Sequence, residues 1–426
     1  MKLHYPRCLH LQPKINPKIS LNHLHLCESS LFNKKKRILN LMEYFNCMPE
    51  EITLDVISRV PAESILECKL VCMTWRNLVS HHPLFLKMHL QHHLNHPAAA
   101  DSGKLGFIAL TLDESFQYFV YNENHESIER IRRLNFNLPF GGHTRILGSS
   151  NGLICLSRRL KEEKTYVCNP ITREYVMLPE IVKRFGTSRG AKGFGYVSST
   201  NEYKIVTVMF ENWGFVEAYI YTLGSGNGWR NLGEFKFGSE VHLWEQGIFL
   251  NGAIYWWDRL LKMIVTFDLA EENFCEHLSP PASFDSGNDD FRNYCRLWVL
   301  DGCLCFAGSL VVDGNCKRIC WNAWLLKKKD DQSLGWSKVF RIYNQEFFAV
   351  TKRYSVLTYI HNSITIHDPE TSTTKYILDF EECFDEVFPH KNTLVSLKEL
   401  GEEDTKIMES VEIAETESDD QPFNQL

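Results

Sequence analysis

The sequence has no long apolar run. The stretches at 253–257 and 297–300 are broken within a few residues, far short of the roughly 18 apolar residues a bilayer-crossing helix needs. The first 30 residues hold no continuous apolar core, so a secretory signal is not expected. There is no Asn-x-Ser/Thr sequon and no Cys-x-x-Cys, and the 14 cysteines are scattered. Neither a small disulfide framework nor a zinc site has that spacing. These absences point to a reducing compartment, cytosolic or nuclear, where thiols stay free. His-Glu-x-x-His and the Gly-Lys-Ser/Thr order of a phosphate-binding loop are missing too. One nucleophile pattern is present, since Gly148-Ser149-Ser150-Asn151-Gly152 matches Gly-x-Ser-x-Gly. Such an elbow needs a strand before it and a helix after it. The run LICL follows instead, so the segment reads as a hairpin turn and not as a Ser150 nucleophile.

What is present resembles an ordinary globular composition. Apolar residues are 44% and charged residues 23% of 426, which excludes a wholly disordered chain and suggests two or more domains. Aromatics reach 12%, favouring β-rich cores. The net charge of −7 is unevenly spread: residues 1–41 carry eight Lys/Arg against Glu28 alone, and residues 401–426 nine Asp/Glu against Lys406 alone. The body between them is mildly acidic, without the footprint of a nucleic-acid binder.

Residues 1–41 mix Pro, His, Asn and Lys without periodicity and read as a disordered basic extension. Lys34-Lys35-Lys36-Arg37 also allows a nuclear signal, the basic balance a transit peptide, and Met42 an alternative start. Residues 48–80 then read as three short helices. Pro49 suits a first helical position, followed by Glu50 and Glu51 where the helix dipole favours anions. Ile52, Val56, Ile57 and Val60 fall on one helical face, and Pro61 ends that helix. Ile65 and Leu66 give the second helix its apolar side, and Val71, Cys72, Trp75, Leu78 and Val79 the third. So small a bundle cannot hide this many apolar side chains, which implies a protein partner.

Here the residues resemble a known family. Residues 48–90, MPEEITLDVISRVPAESILECKLVCMTWRNLVSHHPLFLKMHL, look like an F-box. Met48-Pro49 stands where that family has Leu-Pro, Val60-Pro61 matches the end of its first helix, Ser64-Ile65-Leu66 with Cys68 its second, Val71-Cys72 and Trp75-Arg76 its third, and Pro83 with Phe85 its tail. The departures are Met48 for Leu and Met73 where a basic residue is common. The resemblance implies docking on a Skp-type adaptor, and through it on a cullin and a RING protein. Pro49, Ile52, Val56, Ile57, Pro61, Ile65, Leu66 and Trp75 are the expected contact residues, Trp75 being the residue type that anchors interfaces.

From about residue 100 the helical period gives way to short β-rich runs separated by turn residues. Asn151-Gly152 precedes LICL, Asn251-Gly252 precedes AIYWW, and Asp301-Gly302 precedes CLCF. These are strong hairpin signals. Their spacings of 100 and 50 suggest a repeat near 50 residues, the period of a kelch-type propeller. Asn169-Pro170-Ile171-Thr172, Phe267-Asp268 and His367-Asp368-Pro369 each read as strand, tight turn, strand; Gly193–Tyr196 with 202–206 reads as a similar pair. About 300 residues at that period make about six units. The stretches GSSNGLICL, CNPITREYVMLP, GFGYVSSTNEYKIV, LNGAIYWW and IVTFDLAEENF are similar to the F-box-associated domain found mainly in plant F-box proteins.

The expected architecture is an α+β multidomain chain, a three-helix F-box followed by an all-β, kelch-like propeller of about six blades. Its expected parts are 1–41 extension, 44–90 F-box, 91–103 linker, 104–400 propeller and 401–426 disordered acidic tail. A pair of β-sandwiches is the alternative fold. Six histidines between His81 and His96 include the helical pairs His89/His93 and His92/His96, but no acid or cysteine follows at ligand spacing, so no metal is expected. Cys303 and Cys305 share a strand face and read as buried thiols. Most tryptophans are expected in blade cores, with Trp213 and Trp244 as loop candidates for target contact. The chain is therefore read as a non-catalytic substrate adaptor of a Skp–cullin–F-box ubiquitin ligase without cofactor, membrane or nucleic-acid partner. The alternatives are an F-box module acting outside the ligase and a propeller-fold enzyme.

Overall fold

Asn151-Gly152, Asn251-Gly252 and Asp301-Gly302 all form two-residue turns. In each pair both residues have positive φ, from 47° to 88°, the geometry that joins antiparallel strands without splaying them. In this computed structural model they link β4 (Thr144–Ser150) to β5 (Leu153–Arg159), β12 (Ile248–Leu250) to β13 (Ala253–Asp258), and β16 (Cys295–Leu300) to β17 (Cys303–Val311). The structure describes residues 48–94, 103–134, 144–159, 163–181, 190–210, 214–237, 244, 246–282, 284, 295–311, 319–328, 333–343 and 345–409.

The described strands form six sheets. Blade 2 is β4, β5, β6 (Glu163–Cys168) and β7 (Glu174–Met177), extended at its edge by β25 (Lys406–Ile407). Blade 3 is β8 (Gly190–Val197), β9 (Glu202–Phe210), β10 (Phe215–Thr222) and β11 (Trp229–Lys236). Blade 4 is β12, β13, β14 (Met263–Asp268) and β15 (Asn273–Phe274), and blade 5 is β16, β17, β18 (Ile319–Lys328) and β19 (Leu334–Tyr343). Blade 6 is β20 (Glu346–Val350), β21 (Val356–Ile360), β22 (Ser363–Asp368) and β23 (Thr373–Asp379). Blade 1 takes β1 (Lys104–Thr111), β2 (Phe116–Asn122) and β3 (Ser127–Leu134) from the front of the ring and β24 (Phe384–Pro389) from its end.

The first strand of each blade touches the first strands of its two neighbours, in the cycle β24, β4, β8, β12, β16, β20 and back to β24. The ring is therefore closed, with β24 as the clasp, so that only the short outer strands of the blades remain as edges. The inner edges of these strands are partly satisfied by side chains. Glu386 Oε2 accepts from the Ile146 N–H at 2.9 Å, the Gln246 amide donates to the Ile146 carbonyl, and Trp256 Nε1 donates to the Lys192 carbonyl at 3.1 Å.

Each blade is sandwiched between two others, so both faces of a strand are buried. Ile254 and Trp256 of β13 join the layer shared with blade 3, while Trp257 joins the layer shared with blade 5. Cys305 and Ala307 of β17 face blade 6, and Leu304 and Phe306 face blade 4. That is why AIYWWD and CLCFAGS read as near-continuous apolar runs and not as alternation. Cys303 packs on the same layer as Cys305, as their spacing predicts.

Four of the third-to-fourth-strand turns share a second device. Asn122, Asn169, Asp268 and Asp368 each accept two backbone N–H bonds from residues two and three positions on. Each such turn closes on a residue with positive φ: Glu126, Arg173, Glu272 or Ser372. The side chain mimics a backbone turn. Three of these were legible as recurring strand–turn–strand units. The pair at 193–206 is different, being the first hairpin of blade 3. The Asn151–Asn251 spacing spans two blades and Asn251–Asp301 one.

The chain divides into two units, at Val60 and Pro61. In the first, α1 (Glu50–Ser58) has Pro49 at its N-cap, one position before the expected one, and buries Thr53, Leu54, Ile57 and Ser58. In the second, α2 (Ala62–Cys68), α3 (Met73–His81) and α4 (Phe85–Leu94) precede the ring. Helix α4 corrects the expectation of three helices and of a linker from residue 91. Phe85 and His89 are buried and Leu90 packs on the layer containing Val395 and Leu397, so a tertiary contact holds a turn that the sequence period alone does not announce.

Candidate partner-docking surfaces

The helices α1 to α3 and the turns beside them carry exposed apolar side chains. On α1, Ile52 and Val56 are 51% and 41% exposed, one helical turn apart and away from Leu54 and Ile57. Beyond α2, Leu70, Val71 and Met73 are exposed, and Leu84 follows α3. The α2–α3 turn is fixed by two contacts: Cys72 Sγ accepts from the Trp75 N–H at 3.4 Å, and Arg76 Nε donates to the Lys69 carbonyl at 3.0 Å. Single exposed apolar residues are ordinary, but a run of them over so short a stretch marks a surface for a partner.

The eight expected contact residues separate by burial. Pro49, Ile52, Val56 and Pro61 are exposed, and Leu66 and Trp75 are half-buried. Ile57 and Ile65 are 1% and 0% exposed and depart from the expectation: each is buried, so a partner could reach neither side chain without displacing what covers it. Leu70 and Leu84 were not singled out from sequence. The only signal for them was the excess of apolar residues over what three short helices can hide.

On the ring, Trp213 lies outside the described residues. Trp244 is half-buried and built into blade 4, its Nε1 donating to Asp258 at 2.7 Å and its ring packed on Phe210, Phe237 and Trp256. Trp229 and Trp336 stitch neighbouring blades, donating to the carbonyls of Pro179 and Ser279 at 2.7 and 2.9 Å. These tryptophans carry structural hydrogen bonds rather than projecting freely.

Ser150 ends β4 and is buried, followed by the Asn151-Gly152 turn. Its neighbour Ser149 instead meets a histidine: Ser149 Oγ lies 2.8 Å from His390 Nδ1, and His390 Nε2 lies 3.0 Å from Asn392 Oδ1. The order is that of an acyl-transfer triad. The environment is not, because burial pushes the imidazole down to about 4, far below the near-neutral value that suits a general base. Of the histidines before residue 97, His89 is buried against Phe85, while the His93 side chain and His96 lie outside the described residues. Among the described residues no group of three His, Cys, Asp or Glu could hold a metal ion, and no helix is long and apolar enough to cross a membrane.

Residues 97–378 match the model of the F-box associated beta propeller domain, and residues 45–87 match the F-box domain. The chain belongs to the F-box-associated β-propeller family. Its F-box coincides with α1 to α3, and its propeller with the six-bladed ring. Relatives in Arabidopsis thaliana include F-box protein At3g07870, 28% identical over 69% of this chain and 72% of that one. F-box protein CPR1 is 26% identical over 69% and 73%. F-box protein DOR is 27% identical over 56% of this chain and 63% of its own length.

Proposed function

We propose that this F-box protein is the substrate-recognition subunit of a Skp–cullin–F-box ubiquitin ligase. The observation that carries the reading is the exposed Ile52/Val56 face of α1 within a domain of F-box type. That face offers a Skp-type adaptor an apolar surface to bury, at about 25 cal/mol per Å². The adaptor brings the cullin and the RING subunit, and the propeller holds the target protein. The rate gain then comes from proximity, which needs no catalytic side chain in this chain. The free thiols among the described residues, such as Cys155, Cys168 and Cys305, support a cytosolic or nuclear setting.

The test is co-purification of the full chain with a Skp-type adaptor, comparing wild type with the double variant I52D/V56D. Two carboxylates on the contact face must be desolvated for docking. The expected result is loss of adaptor binding with the tryptophan fluorescence of the propeller unchanged. Normal adaptor binding by that variant overturns the proposed interface.

A further inference from the structure

The segment after the clasp strand β24 packs on blade 2 and meets α2. The Asn392 amide donates to Glu63 Oε1 on that helix. Asn392 Oδ1 lies 3.0 Å from His390 Nε2, and His390 Nδ1 lies 2.8 Å from Ser149 Oγ on β4. Glu63, Asn392 and His390 are 5%, 6% and 4% exposed. Glu63 and Asn392 are 329 positions apart in the chain.

The four groups form a chain with one direction. Asn392 Nδ2 can only donate, so its Oδ1 is the end left to face the imidazole. Nε2 therefore carries the proton, Nδ1 accepts, and the Ser149 hydroxyl donates to it. Each link fixes the orientation of the next. The same segment is itself tied down. Thr393 Oγ1 donates to the Asn151 carbonyl at 2.8 Å, and Asn169 Nδ2 donates to the Thr393 and Val395 carbonyls at 3.0 and 2.7 Å. Glu174 accepts from the Leu397 N–H at 2.6 Å. The end of the latch that holds α2 thus rests on blade 2. Two further contacts join helices to ring: Arg132 with Glu67 at 3.6 Å, and Leu90 on the layer of Val395 and Leu397. The Arg132–Glu67 pair is exposed and contributes little, whereas a buried carboxyl that loses a donor is costly.

We propose that the half-buried Ser149 and the buried His390, Asn392 and Glu63 form a polar latch that locks the second F-box helix to the closure of the propeller, making Asn392 a positioning residue for that helix. Resting on the ligase reading above, the latch holds α2, the second helix of the F-box, at a set orientation to the ring that carries the target. No target contact is needed for it to act.

Hydrogen exchange on the full-length protein tests the latch directly. In wild type the amides of residues 62–68 should exchange at rates like those of the segment 393–397. N392A removes this donor and should speed exchange in 62–68 by about tenfold, the usual effect of losing one buried hydrogen bond, with β9 and β10 unchanged. E63Q keeps an acceptor at the same place and should stay close to wild type. If N392A speeds exchange only in 393–397, Asn392 merely supports its own segment and the latch is refuted; unchanged exchange in 62–68 refutes it as well. Should N392A fail to fold, E63A makes the same comparison from the helix side. The adaptor test on I52D/V56D is a separate readout, so failure of the ligase reading and failure of the latch are distinguishable.

Discussion

The buried His390 makes a quantitative prediction about stability and pH. Burial lowers its value from 6.5 to about 4. A lowered imidazole favours the neutral ring, so its contribution is fully present above about pH 6.5 and is lost as the pH falls toward 4. At up to about 1.4 kcal/mol per pH unit, and less near each pKa, the loss between pH 6.5 and 4.5 is about 2 kcal/mol. Glu386 on β24 opposes it. Burial raises this carboxyl from 4.5 to about 7, so its contribution is fully present below about pH 4.5 and is lost as the pH rises through 7. Between pH 4.5 and 6.5 the two slopes cancel in the wild type. E386Q removes one of them, and E386Q/H390Q removes both. Urea unfolding followed by tryptophan fluorescence should show the stability gap between these two variants shrinking by about 2 kcal/mol from pH 7 to pH 4.5. Other carboxylates are common to both variants and drop out. A gap that is the same at both pH values refutes the reasoning.

Three further outcomes are expected. Gly152 and Gly252 have φ of +88° and +85°, but a Cβ at Gly152 meets the Thr393 hydroxyl whereas one at Gly252 meets nothing. G252A should therefore destabilise by about 1 kcal/mol from backbone strain alone and G152A by about 3 or more, with equal losses in urea melts counting against the packing of the C-terminal segment on blade 2. Trp256 is fully buried between blades 3 and 4, so W256A should cost about 3–5 kcal/mol, and a loss below about 1 kcal/mol would contradict that layer. Burial pushes the Cys155 thiol up to about 12 and raises Cys168 and Cys305 as well, while Cys275 is exposed. Peptide-resolved alkylation of the native protein at pH 8 should label Cys275 long before those three, and early labelling of Cys155 would mean that the ring opens there.

Much of the architecture is local chemistry and was legible in the chain. The Asn-Gly and Asp-Gly pairs place hairpins because few residues tolerate two successive positive φ values. Asn169, Asp268 and Asp368 announce the outer turns because their side chains bond to backbone two and three residues on. Recurrence of these turns gives the blade period and hence the blade number. The F-box helices are legible for the same reason: proline, first-turn acids and apolar spacing all act within one or two turns of helix.

Burial was less legible. Ile52 and Ile57 are both apolar and belong to one helix, yet one is half exposed and the other is core. Periodicity says that a face is apolar, not which part of it a neighbour covers. Helix α4 was missed because what holds it is a contact with Val395 and Leu397, some 300 positions away, and not a local signal.

The sequence by itself determined the hairpins, the turn residues, the repeat and the family, since each depends on interactions among residues a few positions apart. Only the tertiary structure decided that β24 closes the ring, that adjacent residues such as Trp256 and Trp257 serve different layers, and that Glu63 meets Asn392. Those pairings rest on ring closure, which brings together residues hundreds of positions apart at distances that no local pattern encodes.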